Sequence, residues 1–272
     1  MKTFKTIFLS LAVIFSFTAC EFNSPTEGFK VEGSIYSLKD YPSNEVMAFL
    51  SGVNFKFGTK ISESKLENNY FSLFLPYELK DRYCDAIATK TQILYDDEFE
   101  SYLTISNKNV KIAQVWFSSD KEYYFGGNVT QFGYREYFSE DFYNDHIVKV
   151  TLVKTKYVYA QLAVSITGEY ETRLTSVHGE DLYKRVKMNL FLQKGWNIIY
   201  HIGTFTSKPY TYLWEVDTAI LNITAEKPEH IELKWYYDFW YDHYKILKNE
   251  GAQFIDMPFM SSYYEDLYFN RF

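Results

Sequence analysis

The chain of 272 residues contains only two cysteines, Cys20 and Cys84. Two cysteines are too few for the disulfide framework that stabilises many small secreted proteins. Cys84 lies in the sequence YCDAIA, beside apolar residues. That setting predicts a buried and inert thiol rather than a reactive nucleophile.

An excess of positive charge and the common catalytic motifs are also missing. The formal net charge is −7, from 28 basic and 35 acidic residues, so nucleic acid is not an expected partner. There is no Gly-x-Ser-x-Gly elbow, phosphate loop or dinucleotide fingerprint. None of the five histidines stands in a His-x-His or His-x-x-x-His pair. The sequence therefore predicts no metal site and no cofactor, and it gives no positive reason to expect an enzyme.

Aromatic residues are abundant instead. The chain has 26 Tyr and 24 Phe, and 47% of its residues are hydrophobic, so it can bury a large core. Tyr, Phe, Val, Ile and Thr all favour the half-buried surface of a β-sheet. The composition therefore predicts a mainly β protein.

The first twenty residues have the order of a bacterial export signal. Two lysines, Lys2 and Lys5, precede an apolar run over residues 7–17, which is followed by Ala19 and Cys20. The run fits the apolar part of a signal peptide and is shorter than the ~20 residues of a membrane-spanning helix. No later run approaches the length needed to span a bilayer as a helix.

The residues before Cys20 resemble the bacterial lipobox, with Phe17 at the position where leucine is usual. The resemblance implies a signal peptide over residues 1–19, lipidation (palmitate) of Cys20, and a lipoprotein held by its N-terminal lipid at the cell outer membrane of a Gram-negative bacterium. Residues 20–28 are polar and would form a short tether. The alternative is an ordinary signal peptide with an incidental cysteine. Whether the protein faces the periplasm or the cell surface stays open.

Residues 29–96 predict a small β-sandwich. The segments 29–36, 46–57 and 70–75 have strand-like patterns, and Asn68-Asn69 predicts a turn. The order resembles the Ig-like or carboxypeptidase-regulatory-like modules of envelope proteins, which implies a scaffold without chemistry. The matching residues are Val31, Gly33, Ile35, Asn69, Phe71, Leu73, Leu75 and Pro76. The acidic run at residues 96–98 is interpreted as a solvated boundary, with a Ca²⁺ site as the alternative.

Residues 97–237 predict a larger, jelly-roll-like β-sandwich, giving two antiparallel sandwich modules in tandem. Its candidate strands are 102–106, 110–118, 123–125, 148–154, 157–167, 185–192, 197–203, 213–216, 219–224 and 231–237. The order of the segments at 157–160, 164–168, 192–197 and 233–237 resembles uncharacterised lipoproteins of Gram-negative anaerobes, which carry no assigned activity. The last part, 238–272, predicts a short amphipathic helix over 238–250 and an aromatic tail.

Two groups of residues are candidates for a site. Trp235, Tyr237, Trp240 and Tyr241 could form a ligand-binding platform, because sugars stack on aromatic rings while polar neighbours bind their hydroxyls. The favoured alternative is a strand–helix junction whose rings fill the core. The loop around His178, with Glu180 and Asp181, could hold an acid–base pair, and a charged hairpin loop explains it as well.

The expectation from sequence is a lipid-anchored cell-envelope protein with a structural or ligand-binding role and no catalytic residues. Polysaccharide or another envelope protein is the expected partner. The alternatives are a surface glycan-binding lipoprotein, a fimbrial-type subunit and an envelope hydrolase.

Overall fold

The computed structural model describes residues 27–36, 44–51, 58–87, 101–118, 128–138, 147–175, 181–207 and 216–237. Within these residues the chain forms fourteen β-strands and one short 3-10 helix, Asp81–Tyr83, which confirms the predicted mainly β class. The strands are β1 Phe29–Tyr36, β2 Glu45–Ser51, β3 Thr59–Lys65, β4 Tyr70–Leu75, β5 Asp85–Ala86, β6 Thr104–Ile105, β7 Lys111–Ser118, β8 Asn128–Phe138, β9 Ile147–Ala160, β10 Val164–Thr175, β11 Asp181–Leu192, β12 Gly195–Ser207, β13 Val216–Thr224 and β14 Lys234–Tyr237. The predicted signal peptide and C-terminal helix lie outside the described residues.

All fourteen strands belong to one hydrogen-bonded network. The main path runs β4-β1-β14-β8-β7-β9-β12-β13-β11-β10-β6, while β2 pairs with β3 and β7, and β5 pairs with β7. Two neighbouring pairs on this path, β1 with β14 and β11 with β13, are parallel. The expectation of purely antiparallel sheets is therefore wrong at these two places, where strands distant in sequence come to lie side by side.

Strands from both sides of the predicted boundary near residue 96 pair with one another. Strand β1 pairs with β14, placing Ile35 opposite Trp235. Strand β2 pairs with β7 over five positions, from Met47 opposite Ser118 to Ser51 opposite Gln114. The structure therefore does not confirm a division into two separate tandem sandwiches.

Most of the buried apolar side chains in the described ranges form two clusters, which we call the first and second cores. The first core contains Ile87, Val110, Ile112, Val150, Leu152, Val158, Ala160, Val164, Ile166, Val186, Met188, Leu190, Leu192, Ile199, Phe205, Ala219, Leu221 and Ile223. The second core contains Val31, Ile35, Val46, Ala48, Leu50, Ile61, Phe71, Leu73, Leu75, Leu79, Cys84, Ala113, Val115, Phe117, Val129, Tyr157, Tyr159 and Trp235.

Strands β7 and β9 contribute to both cores, because successive side chains of a strand point to opposite faces. On β7, Ile112 belongs to the first core and Ala113 to the second. On β9, Val158 belongs to the first core and Tyr157 to the second. These two strands therefore contribute apolar side chains to both cores.

Strand β9 is a single strand of fourteen residues. The sequence instead suggested two strands, 148–154 and 157–167, with a break after Lys154. In the structure β9 continues past this point and ends at Ala160, and β10 begins at Val164. Pairing with β12 from Lys149 to Ala160 supplies hydrogen bonds on both sides of Lys154 and Lys156, so the strand continues through them.

The predicted turn at Asn68-Asn69 is present, and Gly195 forms a second turn. Asn68 and Asn69 both have positive φ angles, 51° and 64°, as a two-residue hairpin turn between β3 and β4 requires. Main-chain hydrogen bonds of 2.9 Å in both directions between Glu67 and Tyr70 close this turn. Gly195, with a φ angle of 98°, forms the turn that leads into β12.

Candidate functional site

The ring of Trp235 lies inside the second core and is only 3% exposed. It stacks on Tyr157 and makes edge contacts with Phe71 and Phe117, with ring centres 5.1–5.9 Å apart. Its indole N–H donates a hydrogen bond of 3.1 Å to the main-chain oxygen of Glu32. The expectation that Trp235 could present its ring to a ligand is therefore wrong, because both faces and the N–H of the ring are occupied within the protein.

The other predicted site residues cannot be placed in the same way. Trp240, Tyr241, His178 and Cys20 lie outside the described residues. Tyr237 ends β14 opposite Val129 of β8, but its side chain is not among those described. Of the two acidic residues predicted beside His178, Glu180 also lies outside the described residues. Asp181 begins β11, opposite Thr175.

An aromatic surface does exist next to Trp235, on the opposite face of the same strands. Tyr36 and Tyr70 are 48% and 42% exposed. Ser34 of β1 is paired with Tyr70 of β4, so Tyr36 is the diagonal neighbour of Tyr70, a separation of about 7–8 Å between strands. We call this surface the tyrosine face; it consists of Lys30, Glu32, Tyr36, Tyr70 and Lys234.

Charged groups surround the two tyrosine rings. The Glu32 carboxylate accepts a hydrogen bond from the Tyr70 hydroxyl and lies 2.6 Å from the Lys30 ammonium. The Lys234 ammonium lies 5.0 Å from the centre of the Tyr36 ring, a cation–π geometry. The tyrosine face thus combines two exposed rings with hydrogen-bond donors and acceptors at their edges.

The electrostatics of the tyrosine face follow from these contacts. The hydrogen bond with Lys30, and then that with Tyr70, lower the pKa of Glu32. The hydrogen bond with Glu32 raises the pKa of Tyr70 and that of Lys30. At neutral pH the face therefore presents a carboxylate, an ammonium and a neutral phenol.

Sequence reasoning did not identify the tyrosine face. The alternation over residues 29–36 predicts that Tyr36 lies on the solvent side of β1, which it does. Nothing in this local pattern indicates which residues lie beside Tyr36. Tyr70 comes next to it because β4 pairs with β1, and Lys234 because β14 pairs with β1 across about 200 residues of chain.

A second polar group lies on the first-core face of β9 and β12. Lys154 and Lys156 alternate with Leu152 and Val158 of the first core, so all four share one face of β9. His201 of β12 is paired with Lys154, and its imidazole is only 3% exposed.

Burial changes the basicity of this group. Burial, with the charge of Lys154 as a second cause, lowers the pKa of Lys156 to about 7. Burial, followed by the charges of Lys156 and Lys154, holds the pKa of His201 well below its usual value of 6.5. Among the described residues, no atom forms a hydrogen bond with Nε2 of His201.

Cys84 is buried in the second core, with 7% of its surface exposed. Burial, reinforced by the charge of Asp81, raises the pKa of its thiol to about 11. A thiol that stays protonated at neutral pH is a weak nucleophile, in line with the inert role that the sequence predicts.

Within the described ranges, no group of three or more His, Cys, Asp or Glu side chains could hold a metal ion. In the same ranges, no helix is long and apolar enough to cross a bilayer. A scan against models of known protein families found no match, and neither did searches of curated proteins and of solved structures.

Proposed function

We propose that the chain is a non-enzymatic, lipid-anchored protein of the bacterial cell envelope that binds carbohydrate on its tyrosine face. Acylation of Cys20 would supply the anchor. Two apolar clusters on opposite faces of β7 and β9 are consistent with two sandwiches that share these two strands.

One observation supports carbohydrate as the ligand. Tyr36 and Tyr70 are both exposed at diagonal positions of β1 and β4, and Glu32 contacts both the Tyr70 hydroxyl and the Lys30 ammonium. Pyranose C–H groups pack on aromatic rings, while hydroxyls exchange hydrogen bonds with carboxylates and ammonium groups. A flat face of this kind suits an extended chain of sugars better than an enclosed small molecule.

The test is affinity electrophoresis of the full chain through native gels that contain mannan, xylan or laminarin. Binding to a polysaccharide should retard the protein, and the double variant Tyr36→Ala/Tyr70→Ala should migrate as if the polysaccharide were absent. Tyr77→Ala is the matched control, because Tyr77 is 67% exposed but lies outside the tyrosine face. Equal retardation of the double variant and the control would contradict the proposal.

Anchoring is tested separately by metabolic labelling with palmitate. The wild-type chain should incorporate label and fractionate with membranes, whereas Cys20→Ala should do neither. Absence of label in the wild-type chain would contradict lipidation of Cys20, and the proposal would then reduce to a secreted protein without a lipid anchor.

The fimbrial-type alternative is favoured by one feature. Strand β14 has only four residues, lies between β1 and β8, and places Trp235 in the second core. A strand of this kind could be exchanged between copies of the chain. Exchange would produce ladders that resist dissociation by SDS, and a single monomer band would argue against it.

A further inference from the structure

Chain segments from the ends of several strands meet at one end of the protein. The indole N–H of Trp196, in β12, donates a hydrogen bond of 2.7 Å to the main-chain oxygen of Pro76, just after β4. The side-chain amide of Gln161, just after β9, donates a hydrogen bond of 3.0 Å to the carboxylate of Asp81. The end of β9 is also paired with the start of β12. We call this part of the surface the loop end; it consists of residues 76–82, 161–163 and 191–196.

Large apolar side chains are exposed at the loop end. Tyr77 is 67% exposed, Leu162 is 56% exposed and Phe191 is 58% exposed. Within the described ranges, Leu162 and Phe191 are the exposed large hydrophobic side chains that carry no polar atom. Single exposed apolar residues are ordinary, but a group of them at one end of a protein indicates a surface that contacts another apolar body.

The segment that would carry the lipid enters the fold at the same end. Phe29, the first residue of β1, is paired with Leu75, the last residue of β4. Gly28 lies against the same place, because a Cβ atom there would be 1.9 Å from the main-chain oxygen of Leu75. Nine residues, 20–28, lead from the predicted acylation site to β1. Even fully extended they reach only ~30 Å, so a lipid on Cys20 would keep the loop end near the bilayer.

Charges of both signs occur at the loop end. The exposed charged residues are Glu78, Lys80, Asp81, Arg82 and Lys194. Lys194 lies 3.6 Å from Glu78, and Asp81 forms an ion pair with Lys111 of β7. Because the charges nearly balance, attraction to charged headgroups would contribute little, and the apolar side chains would dominate contact with a lipid surface.

We propose that the loop end docks on the surface of the lipid bilayer, with Tyr77, Leu162 and Phe191 inserted among the lipid headgroups. The inference rests on the lipid anchor of the proposed function and not on its carbohydrate site. The anchor confines the body to a thin layer above the membrane, and the resulting high effective concentration allows a contact of three side chains to persist. The docked protein is thereby held in one orientation instead of turning freely on its tether.

The test measures how close two labelled positions come to the bilayer. The lipidated full chain is purified from bacterial membranes and reconstituted in phosphatidylcholine vesicles, with the fluorophore NBD on either Ala163→Cys or Arg173→Cys. Both positions are exposed, and they lie near opposite ends of β10, about 33 Å apart along the strand. Cys84 stays unlabelled under native conditions because its thiol is buried.

Quenching by phosphatidylcholine with a nitroxide on its acyl chain reports the distance of each label from the bilayer. We expect at least about twofold stronger quenching of the label at position 163 than of the label at position 173. The triple substitution Tyr77→Ser/Leu162→Ser/Phe191→Ser should remove the difference. Tyr102→Ser is the matched control and should keep it, because Tyr102 is 51% exposed but lies outside the loop end.

Flotation of the vesicles in a density gradient separates docking from anchoring. A chain that floats with the vesicles but shows equal quenching at both positions would overturn the docking and leave the anchor standing. The same conclusion would follow if the triple variant kept the wild-type difference. A chain that does not float would contradict the anchor itself, and the docking would be overturned with it.

Discussion

Trp235 and Glu32 are joined by a hydrogen bond of 3.1 Å from the indole N–H to a main-chain oxygen. The two residues are about 200 positions apart in the sequence, and the bond fixes β14 against β1. Next to Glu32, Gly33 faces the same indole ring. A Cβ atom at Gly33 would lie 2.4 Å from Cδ1 and 2.7 Å from Nε1 of Trp235.

This contact predicts that Gly33→Ala destabilises the protein. The added methyl group overlaps the indole ring, and the ring cannot move aside because Phe71, Phe117 and Tyr157 surround it. Overpacking of this kind lowers the free energy of unfolding by about 1–3 kcal/mol. Urea denaturation measures the change. Ser34→Ala, at the exposed neighbouring position, is the control and should stay near the wild-type value.

A second prediction separates the core role of Trp235 from the carbohydrate site. Trp235→Phe removes the hydrogen bond to Glu32 and leaves part of the ring volume empty, which should lower the unfolding free energy by about 1–3 kcal/mol. The folded variant should still bind polysaccharide as the wild type does, because Tyr36 and Tyr70 lie on the other face. Loss of binding at a temperature where circular dichroism shows a folded variant would contradict this assignment.

The local features of the fold could be predicted from the sequence. Asn68-Asn69 and Gly195 mark turns because few other residues adopt positive φ angles, and this signal is contained in two or three residues. The alternation in β1 likewise predicts which side chains face solvent. Each of these inferences depends only on neighbours along the chain.

The pairing of distant strands could not be predicted in this way. The local sequence is equally compatible with an exposed and with a buried Trp235 ring. Only the pairing of Trp235 with Ile35 shows that the ring is buried. Lys154 and Lys156 look like a break in a strand, because lysine on a core face conflicts with the usual pattern. Their pairing with β12 overrides that local signal. Pairings between distant strands create both the tyrosine face and the group of Lys154, Lys156 and His201, so neither could be recognised in the sequence.

The partly buried Lys156 predicts a pH dependence of stability. The pKa of Lys156 is about 7 in the folded protein, against 10.5 for an ordinary lysine. Between these values the unfolded chain binds more protons than the folded one, so stability rises as the pH increases from about 7 towards 10.5. Below about pH 7 both states carry the proton, and the cost of burying the charge is fully present.

Lys156→Met should remove this rise. The variant should be more stable than the wild type at pH 7, and the difference should shrink as the pH approaches 10. Urea denaturation in chloride buffers without carboxylate measures both slopes. Lys187→Met is the control and should keep the wild-type slope, because Lys187 is exposed. A slope that is the same in all three proteins would show that Lys156 does not titrate in this range.

The last prediction concerns the thiol of Cys84. Its pKa of about 11 and its position in the second core mean that only a very small fraction is thiolate near pH 8, and reagents reach it only when the structure opens. Alkylation by iodoacetamide, followed by mass spectrometry of the peptide that contains Cys84, should therefore be slow in the native protein and fast in concentrated urea. Gly33→Ala loosens the same core and should accelerate native alkylation, while Ser34→Ala should not. Native and urea rates within a factor of about two would mean that Cys84 is accessible in the folded protein, contrary to its burial in the second core.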